Sequence, residues 1–192
     1  MARCLSDPRR RASCDHRLTT LLRQRVFGLA LGYEDVNDQD QLRGDGAFQA
    51  ACGQVRDLGS SSTVGRMERR ADRATAVALH QVLVEQFIAS FKPAPKELIL
   101  DFDATDVPVH GRQEGYYFHG YYDHHCFLPL YVTCGDQLLV SYLRRSNIDA
   151  SKHAWAILSL LVKRLRQAWP KVSIIFRGDS GFCRWPMLRW CE

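Results

Sequence analysis

The sequence of 192 residues has no apolar run long enough to cross a membrane as a helix. Its longest such runs, Leu98-Ile99-Leu100 and Ala154–Val162, fall far short of the ~20 residues a spanning helix needs. The Arg-rich start has no apolar stretch behind it, so a secretory signal is not expected. The seven cysteines are an odd number with no Cys-x-x-Cys pair. That argues against a disulfide framework or a zinc ribbon and points to reduced thiols in a cytoplasmic setting. There is no internal repeat and no low-complexity tract. Hydrophobic residues make up 46% and charged residues 24%, close to globular averages, which excludes wholesale disorder and a fibre. The length suits one full domain, or one small domain plus part of another.

What is present begins with charge. The formal balance is +5 and its distribution is uneven. Before Leu29 stand Arg3, Arg9, Arg10, Arg11, Arg17, Arg23 and Arg25 against Asp7 and Asp15 alone. Arg66, Arg69, Arg70 and Arg73 form a second cluster. Clustered arginine is the footprint of phosphate binding, with a solvated helix face as the alternative.

The apolar spacing from His16 to Leu31 predicts an amphipathic helix, with Gly32 as its C-terminal stop. Glu34–Cys52 reads as one or two short helices and Gly53–Gly59 as a turn region. Ser60-Ser61-Ser62-Thr63 signals a helix start, and one helix is predicted from there to about Phe91. Its first turns would carry the second Arg cluster, either as a recognition helix or as a connecting helix with solvated arginines. Pro93-Ala94-Pro95 reads as a linker, giving a helical region over 1–92 and a second region over 93–192.

After the linker the pattern changes to α/β. Glu97–Asp103 suits a central strand buried on both faces. Cys126–Thr133 and Gln137–Leu143 read as a hairpin around Gly135-Asp136. A helix capped by Ser151 is predicted through Trp169, with Trp155, Leu158, Leu161, Val162 and Leu165 on one face and Pro170 as its stop. Lys171–Phe176 is a fourth strand. A crossover through that helix would lay the fourth strand parallel to the first. Both would then end at the same sheet edge, where sites form in α/β folds. Asp101, Asp103 and Asp106 follow the first strand and Asp179 follows the fourth. Carboxylates brought together need a proton or a cation between them. Mg²⁺ and Mn²⁺ take oxygen ligands of this kind, so Asp103 and Asp179 are candidate ligands.

The order of motifs resembles the group 1 DDE transposases of bacterial insertion sequences, whose core is ribonuclease H-like. The matching text runs Leu100-Asp101-Phe102-Asp103-Ala104-Thr105-Asp106-Val107-Pro108-Val109-His110-Gly111-Arg112-Gln113-Glu114. It continues with Tyr121, Leu128-Pro129-Leu130, Leu143-Arg144-Arg145-Ser146-Asn147 and Arg177-Gly178-Asp179-Ser180-Gly181-Phe182. Upstream, Gln24–Asp38 and Ser62–Glu68 also match, so the resemblance covers most of the chain from about Arg17. It implies an incomplete ribonuclease H-like mixed sheet, antiparallel hairpin plus parallel strand, behind a helical N-terminal region. It implies Asp103 and Asp179 as catalytic, metal-holding aspartates for strand cleavage and strand transfer, with Mg²⁺ or Mn²⁺ as cofactor. Partners would be double-stranded DNA, at transposon ends and target, contacted through Arg66, Arg69, Arg144 and Arg177. A homodimer is compatible with this reading. Asp101 and Asp106 are further candidate ligands, since Asp101 and Asp103 share a strand face.

The resemblance also implies a third carboxylate, a Glu on a helix well downstream of Asp179. Glu192 lacks those surroundings and is not assigned, and Met1–Ser13 does not resemble the family. The expectation is a truncated copy with an incomplete triad. Three rivals stand beside it. One is an inert DNA-binding remnant. Another is a phosphatase resembling the haloacid dehalogenase family, with Asp101 as nucleophile and Asp103 as acid/base. The third is a zinc site from His124, His125, Cys126 and Cys134. Tyr116, Tyr117, Tyr121 and Tyr122 could stack on bases, but core and sheet-edge packing is the preferred expectation.

Overall fold

The computed structural model describes all residues, 1–192, and divides into two compact units, Met1–Leu79 and His80–Glu192. The first is helical: α1 (Leu18–Ala30), α2 (Gln39–Leu42), α3 (Gly46–Ala51), α4 (Ser61–Glu68) and the start of α5 (Arg73–Ser90). Two small cores hold it, one of Leu21, Val64 and Met67 and one of Phe48, Cys52 and Leu58. Gln24 is fully buried and joins α1 to the segment before α4. Its Nε2 donates to the Gly59 carbonyl at 2.7 Å and its Oε1 accepts from the Gly59 N–H at 3.0 Å. A Cβ at Gly59 would lie 2.6 Å from Leu21 Cδ2, so this close approach requires glycine. Gly32 follows α1 at φ +90°, and the Tyr33 N–H reaches back to the Gly28 carbonyl at 2.9 Å, the expected stop. The α1 stripe is only partly covered: Leu21 is buried, whereas Val26 and Leu29 are exposed.

The single helix predicted from Ser60 to Phe91 is two helices. Asp72 ends the run by accepting from the Thr75 N–H at 2.8 Å and the Thr75 hydroxyl at 2.9 Å. This local cap competes with continued helix and starts α5 afresh. The second Arg cluster is therefore divided among α4, the intervening turn and α5, and does not form the opening turns of one recognition helix.

The second unit carries β1 (Glu97–Ala104), β2 (Val107–Pro108), β3 (Tyr117–His119), β4 (His124–Phe127), β5 (Leu130–Cys134), β6 (Gln137–Tyr142), α6 (Ala154–Ala168), β7 (Ser173–Gly178) and α7 (Trp185–Cys191). The main sheet has the order β6-β5-β1-β7. β1 runs antiparallel to β5 and parallel to β7, and α6 connects β6 to β7 past the two strands between. This mixed sheet is the ribonuclease H-like arrangement implied by the resemblance.

Four local expectations are corrected. The strand predicted over Cys126–Thr133 is split at Leu128-Pro129, because Pro129 has no N–H to give a ladder. Its first half, β4, instead joins β2 and β3 in a separate small sheet of order β2-β4-β3. β1 is buried on one face only: Leu98, Leu100 and Phe102 are covered, whereas Asp103 is exposed on the other side. Ser151 does not cap α6; its N–H and hydroxyl both donate to Asp149, and the helix starts at Ala154 behind His153. Trp155 is 53% exposed, and Ala154 takes the inward position with Leu158, Leu161 and Leu165.

The main core lies against the Leu98–Leu100–Phe102 face. It gathers Val84 and Phe87 of α5, the inward leucines of α6, Val132 and Leu139 of the hairpin, and Phe182 beyond β7. Phe102 lies 5.1 Å from Phe176 and 6.3 Å from Phe182 between ring centroids. That packing fixes the end of β1 against the end of β7, where the acidic residues stand.

Candidate functional site

Side chains alternate along a strand, and paired residues on parallel neighbours face the same side. The register pairs Leu98 with Ile174, Leu100 with Phe176 and Phe102 with Gly178 on the core face. On the open face Ile99 pairs with Ile175 and Asp101 with Arg177. The next positions along the two chains are Asp103, the penultimate residue of β1, and Asp179, the first residue after β7. Both stand at the carboxyl edge of adjacent parallel strands.

Four carboxylates stand on or just after β1 and β7: Asp101, Asp103, Asp106 and Asp179. Asp101 is gripped by Arg177, whose Nη2 donates to Oδ2 at 2.6 Å while Nε donates to Oδ1. That fork holds the Asp101 carboxyl below its ordinary range. Asp106 accepts from His124 Nε2 at 2.6 Å, which ties the segment after β1 to β4 of the small sheet. Asp103 is exposed and has neither a hydrogen bond nor an ion pair. Asp179 accepts from the Gly181 N–H at 2.8 Å through Oδ1, as the cap of the 3₁₀ turn Ser180–Phe182. Its Oδ2 has no such bond. A Cβ at Gly181 would lie 2.9 Å from Asp179 Oδ1, so a larger residue there would push the carboxylate aside.

Asp103 and Asp179 therefore offer unspent carboxylate oxygens, the donor type that hard divalent cations take. No group of three or more His, Cys, Asp or Glu side chains is arranged to hold an ion. The zinc reading fails on that ground. His124 is engaged by Asp106 and Cys126 is fully buried, so the residues of that set do not converge. The phosphatase reading is also disfavoured, since its nucleophile Asp101 is locked by the Arg177 fork.

The basic candidates separate. Arg66 and Arg69 are both exposed and free of ion pairs; Arg66 donates only to Thr63 Oγ1, at 3.1 Å. Arg177 is surface-exposed but committed to Asp101. Arg144 is not a surface cation. It is 4% exposed, and burial pulls its guanidinium below the ordinary arginine value. Nε donates to the Leu128 carbonyl at 2.9 Å, and Nη1 donates to Ala150 at 2.9 Å and Lys152 at 2.6 Å. Arg144 braces the Leu128-Pro129 break and the loop before α6, and reaching a DNA phosphate would require extracting it from this socket.

Two features were missed from sequence. One is the Asp101–Arg177 fork. Its signal was present: Asp101-x-Asp103 and Arg177-x-Asp179 have equal spacing, so aligning the aspartates in parallel strands also aligns the opposite charges. The other is the small sheet with its Asp106–His124 tie. Tyr122, in the turn between β3 and β4, donates to the Ala104 carbonyl at 3.3 Å. Burial pushes its phenol pKa up, with the charges of Asp106 and Asp103 among the lesser causes. Of the tyrosine set, Tyr116 and Tyr122 are half-buried against His125 and His119 and Tyr117 lies on β3, whereas Tyr121 is 86% exposed.

No helix is long and apolar enough to cross a membrane. A family model described as Transposase DDE domain group 1 matches residues 1–192. No curated protein and no solved structure matches the chain.

Proposed function

We propose, for a chain that belongs to the transposase DDE domain group 1 family, that Asp103 and Asp179 are the carboxylates serving metal-dependent DNA cleavage and strand transfer. The observation that carries this is the division of labour at the sheet edge. Asp101 and Asp106 are spent on Arg177 and His124, whereas Asp103 and Asp179 each follow directly on the last β1–β7 pair, Phe102 with Gly178, and have oxygens to spare. A magnesium or manganese ion held by these two residues would polarise a phosphodiester and offset the charge developing in phosphoryl transfer.

The chain's own residues prepare the site. The Arg177 fork neutralises Asp101, so Asp103 does not share its strand face with a second free negative charge. The Gly181 N–H orients the Asp179 carboxylate through Oδ1 and leaves Oδ2 without a hydrogen bond. The open face of β1 leaves room for a polyanionic backbone beside Asp103, and Arg66 and Arg69 supply exposed cations on the helical unit. DNA at transposon ends and target is the substrate class this reading assigns.

The test is calorimetric titration with Mn²⁺ of the full chain and of Asp103→Asn and Asp179→Asn. Binding present in the first and lost in both variants supports the site. Binding unchanged in either variant removes it.

A second reading has one observation in its favour: no third acidic ligand joins the pair. It is DNA binding without strand cleavage. A supercoiled plasmid that is retarded in gels but not nicked in Mn²⁺ separates it from the first.

A further inference from the structure

The loop Asp149–Lys152, between β6 and α6, lies against the turn that presents Asp179. A Cβ at Gly181 would meet Asp179 Oδ1 at 2.9 Å and the Ala150 Cβ at 3.6 Å. The carboxylate oxygen and the Ala150 methyl therefore border the same space beside Gly181. In a close-packed site, a shift of Ala150 changes the room left to the turn and to the carboxylate it holds.

Two arginines fix that loop. Arg144 grips it from the buried side, where Nη1 donates to the Ala150 carbonyl at 2.9 Å and the Lys152 carbonyl at 2.6 Å. Arg184 stands two residues after the turn Ser180–Phe182, and its Nη2 donates to Asp149 Oδ2 at 2.6 Å. Asp149 Oδ1 accepts from the Ser151 N–H at 2.9 Å and the Ser151 hydroxyl at 2.5 Å, so both carboxylate oxygens are engaged. The contacts close a ring. It runs from Asp179 to the Gly181 N–H, along the chain to Arg184, across to Asp149, and from the adjoining Ala150 back to Gly181. Folding alone accounts poorly for the Arg184–Asp149 pair. Its side chains are 47% and 53% exposed, and pairs so exposed contribute little to stability. What the pair does is join two segments, 35 positions apart, that both adjoin the Asp179 turn.

We infer that Arg184 and Asp149 are positioning residues for Asp179, acting through Ala150 and Gly181 to hold one carboxylate oxygen in place and keep the other available to a divalent cation. The inference rests on the Asp103–Asp179 reading for its cation, and on these hydrogen bonds for its mechanism. Removing an outer partner that orients a metal-binding carboxylate typically costs about 10–100-fold in metal affinity. Arg184 stands farther out than the Gly181 N–H, so the lower end of that range applies.

The experiment combines calorimetric Mn²⁺ titration of the full chain with urea denaturation and, in chelator, hydrogen exchange of the Gly181 amide read by NMR. Arg184→Gln should weaken Mn²⁺ binding about tenfold at an unchanged urea midpoint, and its Gly181 N–H should lose protection. The sign separates positioning from charge, because removing a nearby cation by itself leaves Mn²⁺ binding unchanged or tighter. Arg184→Lys can still pair with Asp149 and should restore most of the affinity. Ala150→Gly alters no charge and should weaken binding in the same direction. The control is Arg164→Gln, which removes the same charge from another exposed pair, with Glu85 of α5, and should leave both readouts at wild-type values. Unchanged or tighter Mn²⁺ binding in Arg184→Gln or Ala150→Gly, an equal loss in Arg164→Gln, or a Gly181 amide in Arg184→Gln as protected as in wild type would each overturn the inference. The amide readout needs no metal. A wild-type chain that binds no Mn²⁺ therefore fails the Asp103–Asp179 reading, while Gly181 exchange still decides whether Arg184 and Asp149 position Asp179.

Discussion

Replacing Arg144 by Ala tests whether this side chain is a brace or a DNA contact. The brace account predicts a folding defect. Arg144 gives three hydrogen bonds to carbonyls, one of them buried and two partly buried. Leaving a buried acceptor without its donor costs roughly 1–3 kcal/mol, and part-buried acceptors cost less because water reaches them. The sum is about 3 kcal/mol, a large share of a typical stability of roughly 5–15 kcal/mol. For a domain of this size that corresponds to a fall in melting temperature of about 10 °C. Arg144→Lys should recover only part of it, since one ammonium cannot reproduce a guanidinium reaching carbonyls of Leu128, Ala150 and Lys152 at once. The assay is urea denaturation of the second unit, followed by the near-ultraviolet signal of its tryptophans, all four of which lie there. Duplex affinity per folded molecule should be unchanged. Wild-type stability combined with weakened DNA binding would refute the reasoning and return Arg144 to the DNA-contacting set.

Three further outcomes follow from the packing and charges. Phe102→Ala removes a 3% exposed ring between Phe176 and Phe182 and should cost about 3–5 kcal/mol by chemical denaturation. Gly59→Ala places a Cβ 2.6 Å from Leu21 Cδ2. Its helical unit should lose about 1–3 kcal/mol, read by hydrogen exchange of α1 amides. Asp149 has its pKa lowered first by the Ser151 hydroxyl and N–H, then by Arg184. A depressed folded-state pKa gives stability that is complete above the unfolded value of about 3.9 and lost as pH falls through the folded value. Urea midpoints of wild type and Asp149→Ala should therefore differ at neutral pH and converge in acid.

How much of this was legible in the sequence depended on the range of the interaction. The strands flanking the site were readable because their signals are local: Leu98-Ile99-Leu100 and Ile174-Ile175-Phe176 are short apolar runs ending in charge. Their parallel placement followed from chain order, since a helix between β6 and β7 requires a crossover. The break at Asp72 was also written locally, as an Asp three residues before a Thr, but the Ser60–Thr63 start and the apolar stripe to Phe91 suggested one helix. Pro129 carried the split between β4 and β5, yet the continuous apolar run from Cys126 to Val132 concealed it. Arg144 was beyond reach. Nothing in Leu143-Arg144-Arg145 distinguishes the buried arginine from its exposed neighbour, because the difference is made by carbonyls at Leu128, Ala150 and Lys152. The first Arg cluster was visible, but the pairing of Arg9 and Arg70 with Asp7 depended on the chain folding back on itself.

The pairing of Asp103 with Asp179 is tested most directly by anomalous diffraction from crystals of the chain soaked in Mn²⁺. The account predicts a manganese peak between the two aspartates, with carboxylate oxygens of both at roughly 2.0–2.3 Å, while Asp101 stays on Arg177. A peak held by Asp101 or Asp106 instead, or none at this edge at saturating manganese, would contradict it.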